Sequence, residues 1–146
     1  MRPFVFLGGT VGHSHWREPF TQRLIEMGVA AARIYNPVVE EWTVEDQARE
    51  DRAKHETEHV LFYICNPESS SEAISSYSLV EATMHLYDRP ESTVVVFDIN
   101  GVQGHSLKSL RKCETDLRAR FPNGHIYSTG AEALGYFERV LSAGGN

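Results

Sequence analysis

Short runs that are apolar throughout, alternating with longer segments of helical periodicity, predict an α/β fold: a three-layer Rossmann-like or flavodoxin-like domain with a mainly parallel sheet of about five strands. A strand that is apolar at every position must be covered on both faces, and helices between successive strands supply that cover. With 146 residues and 41% hydrophobic content, the chain can bury one core without disulfides or metal. A single domain over residues 1–142 is expected, followed by a flexible tail at 143–146.

Taken in order, the first strand is Phe4 to Leu7, and Trp16 to Met27 follows as a helix with Phe20, Leu24 and Met27 at helical spacing. Ala32 to Tyr35 reads as the second strand, and a heavily charged segment from Glu45 to Glu58 leads to the third, Val60 to Cys65. Ser75 to Glu81 enters a helix whose Val80, Met84 and Tyr87 are expected to face the sheet. Thr93 to Phe97 is the fourth strand, Leu107, Leu110, Leu117 and Phe121 mark a further helix, and His125 to Tyr127 is a weaker fifth strand. Thr129 and Glu132 form a capping box opening a last helix, with Leu134, Phe137 and Leu141 inward. The serine-rich stretch from Glu68 to Ser76 is expected to be mobile.

A net charge of -6 and a pI near 5.6, with scattered Lys and Arg, give no footprint for a nucleic-acid polymer. Cys65 and Cys113 make neither a disulfide framework nor a paired metal motif, which suits a reducing cytoplasm. There is no signal-peptide pattern and no apolar run near the roughly 20 residues that span a bilayer. The expectation is a cytoplasmic protein without a membrane partner.

In such folds ligands bind at the carboxyl ends of the strands, near the point where strand order reverses. Here those ends are Gly8-Gly9-Thr10, Asn36-Pro37, Asn66-Pro67 and Asp98 to Gly101. The glycines let backbone approach a ligand closely, or simply make a turn; the segment lacks both the P-loop ending and the dinucleotide fingerprint. Ser78 and Glu81 admit two readings. They form an S-x-x-E capping box, or Glu81 is a carboxylate in the first helical turn beside the crevice, where the helix N-terminus favours the anion a nucleophile requires. His55-Glu56-Thr57-Glu58-His59 matches H-E-x-x-H, yet His59 immediately precedes a strand, so the helix must end before both histidines can share one face. No metal or other cofactor is expected. A receiver-domain reading fails because the first strand ends in glycines and the third in Asn66.

Phe6-Leu7-Gly8-Gly9-Thr10 with Trp16-Arg17, Tyr35-Asn36-Pro37 leading to Glu41-Trp42, Val60 to Ile64, and Ser75 to Glu81 together resemble the nucleoside 2-deoxyribosyltransferase-like family, in its phage and bacterial branch. The resemblance implies that Glu81 attacks the anomeric carbon of deoxyribose. It implies that Asp51 assists proton transfer or holds the sugar, with Glu45, Asp46 and Glu50 near enough to take that role. Ser75 stands where the classical transferases carry an aspartate and is similar to the serine of related deoxynucleotide N-hydrolases; Ser75 and Ser78, with Gly8 and Gly9, would then hold a 5'-phosphate. Thr10, Trp16, Asn36 and Tyr77 complete the expected substrate contacts, with Trp16, Tyr77 and His13 as surfaces for a base, and Phe6 or Tyr63 near the sugar's 2' position.

The implied enzyme cleaves an N-glycosidic bond through a covalent Glu81 ester and passes the sugar to another base. Alternatives are a nucleoside 5'-monophosphate N-glycosidase using water, a non-catalytic nucleotide-binding module, and a zinc hydrolase on the His55 segment. Expected partners are a small nucleoside or nucleotide, a nucleobase and further copies of the chain in a homo-oligomer.

Overall fold

The structure, a computed structural model, describes residues 2–10, 15–38, 41, 43–67, 74 and 76–144. Five strands, β1 (Val5–Gly9), β2 (Ile34–Tyr35), β3 (His59–Cys65), β4 (Thr93–Asp98) and β5 (His125–Tyr127), alternate with five helices, α1 (Arg17–Glu26), α2 (Val44–Glu56), α3 (Ser76–Asp88), α4 (Gly104–Arg120) and α5 (Gly130–Gly144). All strand pairs are parallel and the sheet order is β2-β1-β3-β4-β5. The order reverses between β1 and β3, so the ligand crevice of such a fold lies above Gly9 and Cys65. This is the three-layer α/β architecture that the apolar strands require.

Alternation along each strand divides the core in two. Val5, Leu7, Leu61, Tyr63, Val94 and Val96 point to one face, where α1 contributes Phe20 and Leu24 and α5 contributes Ala133 and Phe137. Phe6, Val60, Phe62, Ile64, Val95 and Phe97 point to the other, beneath Ala53 of α2, Ala82 and Leu86 of α3 and Leu110 of α4. The cap of α5 forms as expected on one side, with the Glu132 N–H donating to Thr129 Oγ1 at 3.2 Å. Its return bond goes from the Ser128 N–H to Glu132 Oε1 at 3.3 Å.

Helix α3 is rotated relative to its expected phase. Val80, Met84 and Tyr87 are 53%, 49% and 60% exposed, while Ser78, Glu81, Ala82 and Leu86 are buried. Two apolar stripes compete on this helix, and the one containing the small Ala82 wins because it lets the helix axis approach the aromatic sheet face. The helix also starts at Ser76. Ser78 is therefore inside it rather than at its N-cap, and Glu81 stands in the second turn, not the first.

Helix α2 has no apolar stripe to dock it, since Val44, Ala48 and Ala53 are its only apolar residues. Its start is fixed by a capping box between Thr43 and Asp46. Its end is held by Arg89, whose guanidinium donates to the carbonyls of Lys54 at 3.2 Å, Thr57 at 2.7 Å and Glu58 at 2.9 Å. The helix stops at Glu56 and His59 opens β3, so the two histidines of the H-E-x-x-H match belong to different elements. The His59 ring packs edge-on against Phe4 and Phe137.

Candidate active site

Glu81 enters the interface between α3 and α2 with its side chain 11% exposed, and its Oε2 accepts a charge-assisted hydrogen bond from Lys54 Nζ. The Lys54 side chain is 10% exposed and also meets Glu50 Oε1 at 3.2 Å and Asp51 Oδ1 at 3.9 Å. Its ammonium stands 5.6 Å from the centre of the Phe6 ring, so the ion pair lies over β1, one of the two strands between which the order reverses. Burial alone would lower the Lys54 pKa; the hydrogen bond and charge of Glu81, joined by Glu50, outweigh it and raise it. The lysine is a fixed cation between carboxylates of two helices.

The two carboxylates of α2 differ in placement. Asp51 is 60% exposed in its side chain and lies at the rim of the cluster, whereas Glu50 is 22% exposed and nearer the ammonium. The Glu50 charge also acts on Tyr35, whose hydroxyl pKa is raised by burial first and by Glu50 second. Tyr35 in turn stacks on Phe6, with ring centroids 5.5 Å apart.

The end of β1 is held by a buried guanidinium. Arg17 donates to the carbonyls of Leu7 at 3.2 Å, Thr10 at 2.9 Å and Gly9 at 3.3 Å. Burial pushes its pKa down to about 10. Gly9 has φ +122, and a Cβ there would stand 2.2 Å from the Tyr63 carbonyl oxygen; at Gly8 it would stand 2.9 Å from the Phe62 ring. Both glycines are demanded by close packing against β3, whatever else they contact. Thr10 ties the same strand end to β3, donating its N–H to the Tyr63 carbonyl at 2.9 Å and accepting the Cys65 N–H on Oγ1 at 3.1 Å.

Trp16 was expected to meet a base and instead belongs to the core. It is 8% exposed, stacks on Tyr63 at 4.5 Å with the rings 9° apart, and takes Arg17 against its ring at 4.4 Å. Its indole N–H donates to the Thr10 carbonyl at 3.0 Å. Phe6 and Tyr63 are likewise core residues. The Tyr63 hydroxyl donates to Asp98 at 2.9 Å, and burial, with that bond, holds its pKa well above the ordinary phenol range.

Asn36 is exposed and uses its Oδ1 locally, accepting the Val38 N–H at 3.1 Å in an Asx turn. Tyr77 is 65% exposed on α3, whereas Ser78 is buried. Ser75, His13 and residues 68–73 lie outside the described residues. A cavity of about 550 Å³ opens at the ends of β3 and β4 between the starts of α3 and α4, with Asn66, Ser76, Leu79, Gly101 and Ser106 in its lining. Leu79 faces this cavity and Glu81, two residues on, faces α2, so the cavity and the ion pair flank α3 on opposite sides.

Sequence reasoning did not single out Lys54, and it put Asp51 ahead of Glu50, which lies nearer the ammonium. A usable signal existed: α2 carries too little apolar surface to dock, and Lys54 follows Glu50 by one helical turn, the spacing at which a carboxylate and a lysine meet. A family model described as nucleoside 2-deoxyribosyltransferase like matches residues 2–100. No curated protein and no solved structure matches the chain.

Proposed function

From the chain's membership of the nucleoside 2-deoxyribosyltransferase-like family, we propose that it cleaves the N-glycosidic bond of a deoxynucleoside through a covalent ester on Glu81 and passes the sugar to another base. The observation that supports this reading is the buried Glu81 carboxylate, held by Lys54 over β1 beside the strand-order reversal. The chemistry parallels a retaining glycosidase. A Glu81 oxygen attacks C1', the C1'–N bond breaks through an oxocarbenium-like transition state, and the bond's electron pair leaves with the base, which takes up a proton. A second base then attacks C1' and returns the electron pair to the carboxylate. If water takes that place, the enzyme is an N-glycosidase.

Glu50 is the better placed second carboxylate and Asp51 the outer alternative, because burial and proximity to Lys54 both favour Glu50. Gly8, Gly9 and Thr10 form the rigid floor of the crevice, with Arg17 fixing the loop from below. Ser78 and Ser75 at the start of α3 are the proposed contacts for a 5'-phosphate, should the substrate carry one. Tyr77, Val80, Met84 and Tyr87 form an exposed apolar row along α3, which supports assembly of a homo-oligomer on this helix.

Deoxynucleosides and their 5'-monophosphates, incubated with and without a free acceptor base, test the reading by chromatography of bases and nucleosides. Base exchange or release is expected, with loss of at least about 10³-fold in Glu81→Gln, since an amide cannot serve as the nucleophile. Dependence on the acceptor base distinguishes transfer from hydrolysis. Equal turnover by both proteins, or none by either, contradicts the proposal.

A further inference from the structure

We propose that Lys54 is the positioning residue of the glycosyl-transfer step: its ammonium fixes Glu81 through Oε2, leaving Oε1 as the attacking oxygen, and is held by Glu50 while Glu81 carries the sugar. The inference deepens the reading of Glu81 as the nucleophile and rests on it. Four observations carry it. The Lys54 and Glu81 side chains are 10% and 11% exposed, so neither charge can be answered by bulk water. The two come from different helices, so the contact fixes Glu81 relative to the α2 scaffold and not merely within α3. Lys54 has a second carboxylate at 3.2 Å, Glu50, one turn earlier on its own helix. Phe6, whose ring centre is 5.6 Å from the ammonium, is apolar and does not compete with Glu81 for it.

The charges balance through both steps. Before reaction one buried carboxylate, Glu81, and one partly buried carboxylate, Glu50, share one ammonium. Attack by Oε1 forms the C1'–O bond as C1'–N breaks, and the base leaves with that electron pair and takes a proton from water. Glu81 is neutralised as the ester, and Lys54 then pairs with the ionised Glu50 alone. When the second nucleophile attacks C1', the ester C–O bond breaks, its electron pair returns to Glu81, and Lys54 takes up Oε2 again. Lys54 gives up no proton and touches no reacting atom. Its effect is orientation: a carboxylate held by one oxygen presents the other along a fixed line, and displacement of a reacting group by about 1 Å can cost a hundredfold in rate.

The test compares wild type, Lys54→Met, Lys54→Arg, Lys54→Ala and Glu81→Gln in the full chain, with the deoxynucleosides or 5'-monophosphates that wild type turns over. Lys54→Met should lose roughly a hundredfold in kcat with KM changed by less than about threefold, because fixing the nucleophile does not bind the substrate. Lys54→Arg keeps the charge but shifts it, and should fall about tenfold. In Lys54→Ala, short alkylamines that refill the vacated space should restore part of kcat, which a merely structural role would not produce. Should Lys54→Met fail to fold, Lys54→Arg and the amine response of Lys54→Ala decide. An active, Glu81-dependent wild type whose Lys54 variants keep kcat, or lose it with no response to amines, overturns the role of Lys54 alone. An inactive wild type, or activity that survives Glu81→Gln, overturns the nucleophile reading and this inference with it.

Discussion

Lys54 and Glu50 show how little a residue's type says before its surroundings are known. Of the four acidic residues of α2 preceding Lys54, Glu45, Asp46, Glu50 and Asp51, only Glu50 and Asp51 meet its ammonium, and only Glu50 does so from a mostly covered position. Asp51 is screened by solvent, and an ion pair so exposed contributes about 0–1 kcal/mol. Glu50→Gln should therefore reduce kcat by at least about tenfold while Asp51→Asn changes it by less than about threefold. Steady-state kinetics of the two variants check this, and the reverse order would return the second-carboxylate role to Asp51. Trp16 carries the same lesson in the other direction. An aromatic residue beside a glycine loop invites a stacking role, yet the Trp16 ring is buried against Tyr63 and Arg17.

At the level of elements, α3 separates what periodicity can and cannot give. The sequence made its existence plain, but it carries two apolar rows about two residues apart in phase, on roughly opposite faces of the helix, and only packing against the sheet chooses between them. The row left outside, Tyr77, Val80, Met84 and Tyr87, is what an interface with another copy would use. Light scattering should give a mass that is a multiple of 16.5 kDa, and Val80→Glu with Met84→Lys should bring it down to that of one chain. A wild type already at one chain would remove the oligomer from the account. The capped helix α5 and strands β3 and β4 were legible almost to the residue, because their signals are local. The inward face of α2 was not, because its burial is made by a lysine stem and a partner carboxylate 27 residues away.

Across the molecule, two partly buried histidines tie stability to pH. Burial pushes His59 and His85 down to about 4 from an ordinary 6.5. Both stay neutral in the fold while the unfolded chain takes up protons first, so stability should be constant above about pH 7 and fall as pH drops from about 6.5 toward 4. Thermal melts from pH 8 to 4.5 check this, and His59→Gln should flatten the slope. A Tm that does not change over that range would contradict the lowered pKa of both rings. The overall architecture needed only strand and helix periodicities, whereas the pairing that defines the site needs two helices brought together over β1. Among the described residues no helix is long and apolar enough to cross a membrane.

The central claim is a covalent glycosyl ester on Glu81. Its most direct test is an acid quench of enzyme mixed with a deoxynucleoside substrate, followed by intact-mass measurement and peptide mapping. The account predicts a deoxyribosyl adduct on the peptide containing Glu81, formed by wild type and absent in Glu81→Gln. Turnover without any adduct, or an adduct mapped to another carboxylate, would contradict it.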